Sequence, residues 1–472
     1  MTVSAPRNTT REAFGMPFEH PYLPQTPSDI GAMLNVIGVG EIADLFQTIP
    51  ADLRLKGTLD LPDHLTEMEL KEEFQALGAL NDSTGRLDSY LGAGAYEHYS
   101  PSAVRHLLGR SEFYTSYTPY QPEMTQGVLQ ALFEYQSCIC ALTGMDVSNA
   151  SLYEGGHALA EACLMARAKT GRNRMVLSAG VHPESLQVLR TYTRNLDTEI
   201  IVAPLGADGR TDLGAVRALL DSGTAAFVMA NPNFFGTIED AGPFAEAVHA
   251  AGALFIMAVE PVSLALLKSP GESGADIACG EGQSLGIPLS YGGPYLGFLA
   301  AKMELVRQIP GRICGQTRDS RGQRAFVLTL QTREQHIRRE KANSNICTNQ
   351  TLLALAATIY LGAVGPQGLK EVAGQGAAKA HYLADALTKI GGVKLSTTAP
   401  WFNEFTLDLG VDAVGVLKTM QSKGILAGLP LSRYFPGRDR EILVAVTEVK
   451  KKAKLDRFVA ELREALECRK KN

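Results

Sequence analysis

Residues 225–260 read A-A-F-V-M-A-N-P-N-F-F-G-T-I-E-D-A-G-P-F-A-E-A-V-H-A-A-G-A-L-F-I-M-A-V-E. Two short apolar runs, 225–229 and 254–259, flank a helical stretch at 243–250. Neither run alternates with polar residues, so both faces of each are covered, as in a buried parallel strand. A helix between two such strands is a βαβ unit with a right-handed crossover. The alternation extends upstream, with strands at 175–177 and 199–203 and helices at 183–194 and 213–220. The predicted fold class is α/β, a central mostly parallel sheet covered on both faces.

On either side the pattern changes. Ser28-Asp29 caps a first helix in a helical arm, Pro50 stops it, and Thr66-Glu67-Met68-Glu69 fits a capping box. These helices are too short to stand alone and need a larger body. An aromatic loop, 113–123, precedes a helix over 124–143, and a second helix starts at the turn Gly155-Gly156. Residues 331–345 are charged and partly helical, 350–361 are apolar, and 369–390 form an amphipathic helix. A compact end unit has strands at 393–396, 404–408 and 442–446 and helices at 414–423 and 455–468. The expected domains are an N-terminal extension and arm (1–115), a large sheet domain (116–340), and a helical linker with a small C-terminal α/β domain (341–472).

Apolar residues make up 45% of the 472, and the net charge is −5, which gives no bulk argument for nucleic acid or anionic membrane. Seven scattered cysteines point to reduced thiols and a cytoplasmic setting. Cys138-x-Cys140 is too tight for a zinc pair, so no metal is expected. The first twenty residues lack an apolar core, so a secretory signal is not expected there, and no stretch approaches a membrane span.

Several short stretches carry candidate chemistry. Glu154-Gly155-Gly156-His157 opens a helix whose amides can hold a phosphate, or it is a tight turn in which Glu154 takes those amides itself. His182 lies at a strand end where ligands bind in open sheets, either as a ring-stacking residue or as a loop histidine. Glu260 ends a strand, to hold a protonated ring nitrogen or to cap the next turn. Helical spacing puts Arg333 and His336 on one face, with Arg338 and Arg339 elsewhere, as a subunit contact or a solvated helix. Residues 275–300 read A-D-I-A-C-G-E-G-Q-S-L-G-I-P-L-S-Y-G-G-P-Y-L-G-F-L-A, with no lysine between Lys268 and Lys302. No nucleophile elbow, phosphate-binding P-loop or dinucleotide fingerprint is present.

Six stretches together carry a family resemblance: Y-T-P-Y-Q-P-E (117–123), N-P-N-F-F-G (231–236), G-E-G-Q-S-L-G (280–286), Y-G-G-P-Y-L-G-F (291–298), Q-T-R-E-Q-H-I-R-R-E-K-A (331–342) and S-N-I-C-T-N-Q (344–350). From about Pro21 onward the chain resembles the α subunits of two-subunit glycine dehydrogenase (decarboxylating), the P-protein of the glycine cleavage system. The resemblance implies a type I pyridoxal-phosphate-enzyme fold in a two-α, two-β complex. Its cofactor would be pyridoxal phosphate on a homologous β subunit. Such a complex decarboxylates glycine and passes the aminomethyl group to the lipoyl arm of the H-protein, with T- and L-proteins in the same pathway.

The lysine that forms the Schiff base in β chains falls on Ser284, or on Gln283 if the gap is placed differently. Neither forms an imine, so no residue here is assigned as catalytic. The pyridinium carboxylate falls on Glu260, longer than the Asp expected there. The resemblance leaves a degenerate pocket around Glu154, Gly155, Gly156, His157, His182 and Glu260. It makes Tyr117, Thr118, Tyr120, Gln121, Tyr291, Gly292 and Gly293 candidates for the wall of the partner's active site, with Arg333 and His336 as interface candidates. Gly156-His157 and Asn343 depart from the Y-[DE]-G-A-T-A and K-A-T-S-N of the family. Two other readings are a self-sufficient pyridoxal-phosphate enzyme using Lys268, and a scaffold without an enzymatic partner.

Overall fold

Seven strands form the central sheet: β1 (Val147–Ser148), β2 (Arg174–Ser178), β3 (Glu199–Ala203), β4 (Thr224–Asn231), β5 (Leu254–Val259), β6 (Ile277–Glu281) and β7 (Gly297–Ala301). Their order is β1-β7-β6-β5-β4-β2-β3. The pairings from β3 through β2, β4 and β5 to β6 are all parallel. Only β7 runs antiparallel, to both β6 and β1. The computed structural model describes residue 22 and residues 25–56, 59–62, 65–114, 118–342 and 344–470.

The strands lack polar alternation because both faces are buried; all eight residues of β4 are. Val176, Phe227, Phe255 and Met257 pack with the helix Gln126–Thr143 on one face. Met175, Leu177, Val228 and Ile256 pack with the helix Gly155–Thr170 on the other. The expected strands and helices between 174 and 259 are all present, within one residue at each end. The exception is the end of the 225–229 strand, which runs on to Asn231.

The elements not legible in the sequence include β6 and β7, at the two ends of the glycine-rich 275–300 stretch, and the hairpin Ile313–Arg318/Arg324–Thr329. The 331–345 segment forms no continuous helix. It makes a 3-10 turn at Gln331–Arg333, one helical turn at Gln335–Arg338 and a second 3-10 turn at Arg339–Lys341. The apolar stretch 350–361 and the helix expected over 369–390 form one helical element, Thr351–Leu387, broken in backbone at Gly365 before Pro366. That element is long and apolar enough to cross a membrane by composition, but Ala354, Ala356, Ala357 and Tyr360 are core residues of this chain.

At the C-terminus, Lys394–Leu395, Glu404–Asp408, Glu441–Ala445 and Leu429–Pro430 form a four-stranded antiparallel sheet in that order. Ala413–Ser422 and Lys452–Lys470 cover it, with Leu407, Val416, Phe458 and Leu462 in the core between. This sheet reaches the large one through the N-P-N-F-F-G loop. Gly236 there has φ 86°, and a Cβ on it would stand 1.8 Å from the Glu404 carbonyl oxygen.

Contacts divide the chain into two compact units, 1–82 and 83–472. In the first, Thr26 is the N-cap of Pro27–Ile37, and Asp29, expected at the cap, completes a capping box from the third position. That helix ends at Ile37 rather than running to Pro50, and Ile42–Phe46 is a 3-10 turn. The Thr66–Glu69 box opens Glu67–Gly78 as expected.

Gly236→Ala combines a left-handed backbone with a backbone clash. It should lower the unfolding free energy by about 3 kcal/mol or more. Urea denaturation of the purified chain measures it; a loss below about 1 kcal/mol would show that the loop yields more easily than this contact implies.

Candidate functional site

The carboxyl ends of β2, β4, β5 and β6 and the start of the Gly155 helix surround a cavity of about 560 Å3. An open parallel sheet places ligands at these ends, because the loops diverge there and the helix amides point inward. The strap 93–96 and Glu404, from the C-terminal sheet, complete the wall.

Glu154 is the N-cap of the Gly155 helix. Its Oε2 accepts from the Gly156 N–H and its Oε1 from the His157 N–H, both at 2.6 Å. The next donor, Gly155 N–H, goes to Glu281 Oε2 at 2.9 Å. A Cβ on Gly155 would stand 2.9 Å from the Glu281 Cβ, so only glycine lets the helix start this close to β6. Glu260 accepts from the Val262 and Ser263 N–H groups at 3.1 and 2.7 Å. Ser284 Oγ donates to Glu260 Oε1 at 2.6 Å.

Two further carboxylates lie in the wall. Glu281 Oε1 accepts from the Gln283 and Leu296 N–H groups at 2.9 and 2.8 Å. Glu404 accepts from the Ala93 N–H at 2.7 Å and the Tyr96 hydroxyl at 2.9 Å. Burial pushes the Glu281 carboxyl up to about 7, aided by the charge of Glu154. Burial likewise pushes Glu404 up to about 7, with Glu260 adding to the shift.

His182 caps the helix Pro183–Thr193, its Nδ1 accepting from the Glu184 N–H at 3.1 Å. Its Nε2 faces the Ala93 carbonyl at 2.9 Å, which fixes the neutral tautomer with the proton on Nε2. Burial lowers its pKa.

The family model for the glycine cleavage system P-protein matches residues 20–462. The chain belongs to the glycine cleavage system P-protein family. A relative from Geotalea uraniireducens, a probable glycine dehydrogenase (decarboxylating) subunit 1, is 52% identical over 94% of this chain and 100% of its own. A relative of the same description from Moorella thermoacetica is 50% identical over 94% of this chain and 99% of its own. The crystal structure of glycine decarboxylase (P-protein) of the glycine cleavage system in inhibitor-bound form is 44% identical. It superposes with a TM-score of 0.86 over 95% of this chain and 100% of that one. A sphingosine-1-phosphate lyase from Burkholderia pseudomallei, 16% identical, shares the fold with a TM-score of 0.65 over 88% of this chain and 93% of that one. The fold is that of type I pyridoxal-phosphate enzymes, a group whose cofactor the family involves.

The residues of this chain's own cavity do not fit that cofactor. The amides that would cradle a phosphate are held by Glu154, a fixed negative charge in the phosphate's place. Ser284, one of the two positions on which the lysine was expected to fall, presents a hydroxyl and is bonded to Glu260, so neither group is free for a ring. Five glutamates line the cavity, and their carboxylates add repulsion against a phosphorylated ligand.

Of the residues singled out in the sequence, Glu154, Gly155, Gly156, His182, Glu260, Ser284 and Gly292 line the cavity. His157 is not among its lining residues. Its ring stacks on Tyr153 at 4.6 Å, and its Nε2 lies 3.4 Å from the buried Glu161. Gln283 faces away from the cavity, donating to the carbonyls of Tyr96 and Ile287 at 3.0 and 2.8 Å, whereas Ser284 lines it.

Arg333 does not share a helix face with His336. It is buried and donates to the carbonyls of Ile309, Gly311 and Leu330, an internal clamp rather than a surface contact. His336 lies beside the Tyr120 ring at 6.0 Å. Thr118 is half-buried, and Gln121 and Tyr291 are exposed. Tyr117 and Asn343 lie outside the described residues. Lys268 is exposed and absent from the cavity wall. Sequence reading missed Tyr96, Glu281 and Glu404. The glutamate in G-E-G carried a faint signal, and Glu404 carried none.

Glu281 and Glu404 bind their protons more tightly folded than unfolded, where the ordinary value is 4.5. Their contribution to stability is whole below about 4.5 and is lost as pH rises through about 7. Glu404→Gln keeps an oxygen for Ala93 and offers Tyr96 a donor. It should gain roughly 2 kcal/mol over wild type at about pH 8 and nothing below about pH 5 in chemical denaturation. A difference independent of pH would place the cost elsewhere than in the carboxylate's charge.

Proposed function

We propose that this chain is the subunit of a two-subunit glycine decarboxylase that does not bear the cofactor. In this reading pyridoxal phosphate sits on a homologous β subunit. The assembled enzyme decarboxylates glycine and delivers the aminomethyl group to the lipoyl arm of the H-protein, with T- and L-proteins acting in the same pathway. The observation that carries the reading is the Ser284–Glu260 hydrogen bond, because it joins the two positions a cofactor ring would separate. The setting is cytoplasmic, in keeping with seven cysteines that are all free.

The chain's role is then to wall the partner's site. Tyr120 is 52% exposed, and its ring is backed by Arg312, whose guanidinium carbon stands 5.5 Å from the ring centroid and whose Nη2 donates to the hydroxyl at 3.3 Å. A side chain presented outward on a rigid backing costs little entropy to dock. Tyr114, Met124, Ile337 and Leu352 add exposed apolar area, and Phe113 and Leu352 share a shallow pocket with Val128. Tyr291 is 80% exposed. Residues 290–293 are four in succession with positive φ, a backbone that persists only where its surroundings hold it.

Titrating the chain with its β partner while following glycine-dependent bicarbonate exchange tests the reading. The chain alone, supplied with pyridoxal phosphate, should be inactive and give no borohydride-reducible adduct. Activity of the lone chain at the rate of the mixture would overturn it. Tyr120→Ala should lower the exchange rate of the complex by about tenfold while leaving the melting of the lone chain unchanged.

A further inference from the structure

The strap across the cavity is fastened firmly at both ends and lightly in the middle. At one end Tyr90 is buried in the core of the C-terminal sheet, its hydroxyl donating to the Lys454 carbonyl at 2.9 Å. At the other, Glu97 pairs with Lys450 at 2.6 Å and His98 with Glu448 at 2.7 Å. Between them Leu91 is exposed and residues 92–95 are only half-buried. Ala93 and Gly94 follow one another with φ 56° and 96°. A left-handed turn costs energy at the alanine and marks a place where the backbone can pivot.

Three side chains hold the middle. Gln283 takes both backbone groups of Tyr96, at 2.8 and 3.0 Å, and His182 takes the Ala93 carbonyl at 2.9 Å. Glu404 accepts from the Ala93 N–H and the Tyr96 hydroxyl. It lies so close beneath the strap that a Cβ on Gly92 would stand 2.2 Å from its Oε1. Of the three holders only Glu404 gains a charge near neutral pH, since burial lowers the pKa of His182. The titratable groups facing Glu404 are Tyr96 on the strap and Glu260 at the end of β5. Across the cavity stand Glu154, Glu184, Glu281, Tyr295 and His182. The N-P-N-F-F-G loop and Ala445, which pack on Glu404 from other sides, bring none. No lysine or arginine among the described residues lines the cavity. Carboxylates gathered without a cation cannot all ionise while they stay dry. Water is what relieves an ionised Glu404, and Gly92, the strap residue packed against its oxygen, is itself half-buried.

We propose that residues 91–95 are a proton-governed flap over the cavity, closed while Glu404 is protonated. When Glu404 gives its proton to solvent, the flap lifts by rotation at Ala93 and Gly94. Water then reaches the carboxylate, and the cavity opens. Gln283 and the two ion pairs beyond it keep residues 96–99 in place, so the movement is local. The open form is a minor population. Its share grows as pH rises to about 7, where the covered carboxyl loses its proton, and levels off above that.

The test is hydrogen–deuterium exchange of the full-length chain, read by mass spectrometry on peptides covering 91–96. Rates are corrected for the intrinsic pH dependence of amide exchange. Protection of the flap should lie at least about a hundredfold below that of β4 throughout, the mark of a local opening. It should fall at least about tenfold between about pH 5 and about pH 8. Glu404→Gln keeps the shape but cannot ionise, and should hold that fall to about threefold or less. Flap protection that does not change with pH in the wild type overturns the proposal, and this series decides it whether or not the variant folds. Flap protection equal to that of β4 also overturns it, because the strap would then open only with the whole fold. An undiminished fall in Glu404→Gln does so too, since the titrating group would lie elsewhere.

Discussion

The Gly155 helix begins on a carboxylate. Its first amides are the strongest anion-binding feature that the fold offers at the strand ends, and Glu154 takes two of them at 2.6 Å each. Glu281 takes a third. With those donors satisfied from within, the helix start needs no ligand, and the cavity in front of it becomes acidic. The rest of the site follows from that substitution of a side chain for a bound anion.

The other positions are closed in the same manner. Glu260 turns its oxygens to Val262 and Ser263 and receives the hydroxyl of Ser284. His182 spends both ring nitrogens on backbone, one on its own helix and one on the strap at Ala93. Gln283 fastens the same strap at Tyr96. These bonds keep the shape of a cofactor site and use its polar groups for structure. The fold thus keeps a cavity whose polar groups are engaged within the chain, while Tyr120 and Tyr291 stand exposed on the outer surface.

A large share of the fold was legible because parallel strands buried on both faces leave unbroken apolar runs. That signal gave the strands from Arg174 to Val259. It failed at Ile277–Glu281 and Gly297–Ala301, where glycine and cysteine replace branched residues because neighbouring backbone comes close; a Cβ on Gly280 would stand 2.2 Å from the Val259 carbonyl oxygen. It failed too at Arg333, since a charged run reads as a solvated helix while the guanidinium in fact serves three internal carbonyls. In the site, the missing lysine and the self-capping of Glu154 were readable locally. Glu404 was not, because it reaches the cavity from a strand some 250 residues beyond Glu154.

By itself the sequence determined the α/β class, the family resemblance, and the absence of a lysine where a covalent cofactor would attach. Each depends on residue order alone. Only the tertiary structure decided that Ser284 lines the cavity while Gln283 turns away from it, that His157 lies outside the cavity, and that five glutamates share one wall. Those facts depend on which way a side chain turns from a known backbone position and on which distant segment arrives opposite it. Packing and hydrogen bonding set both.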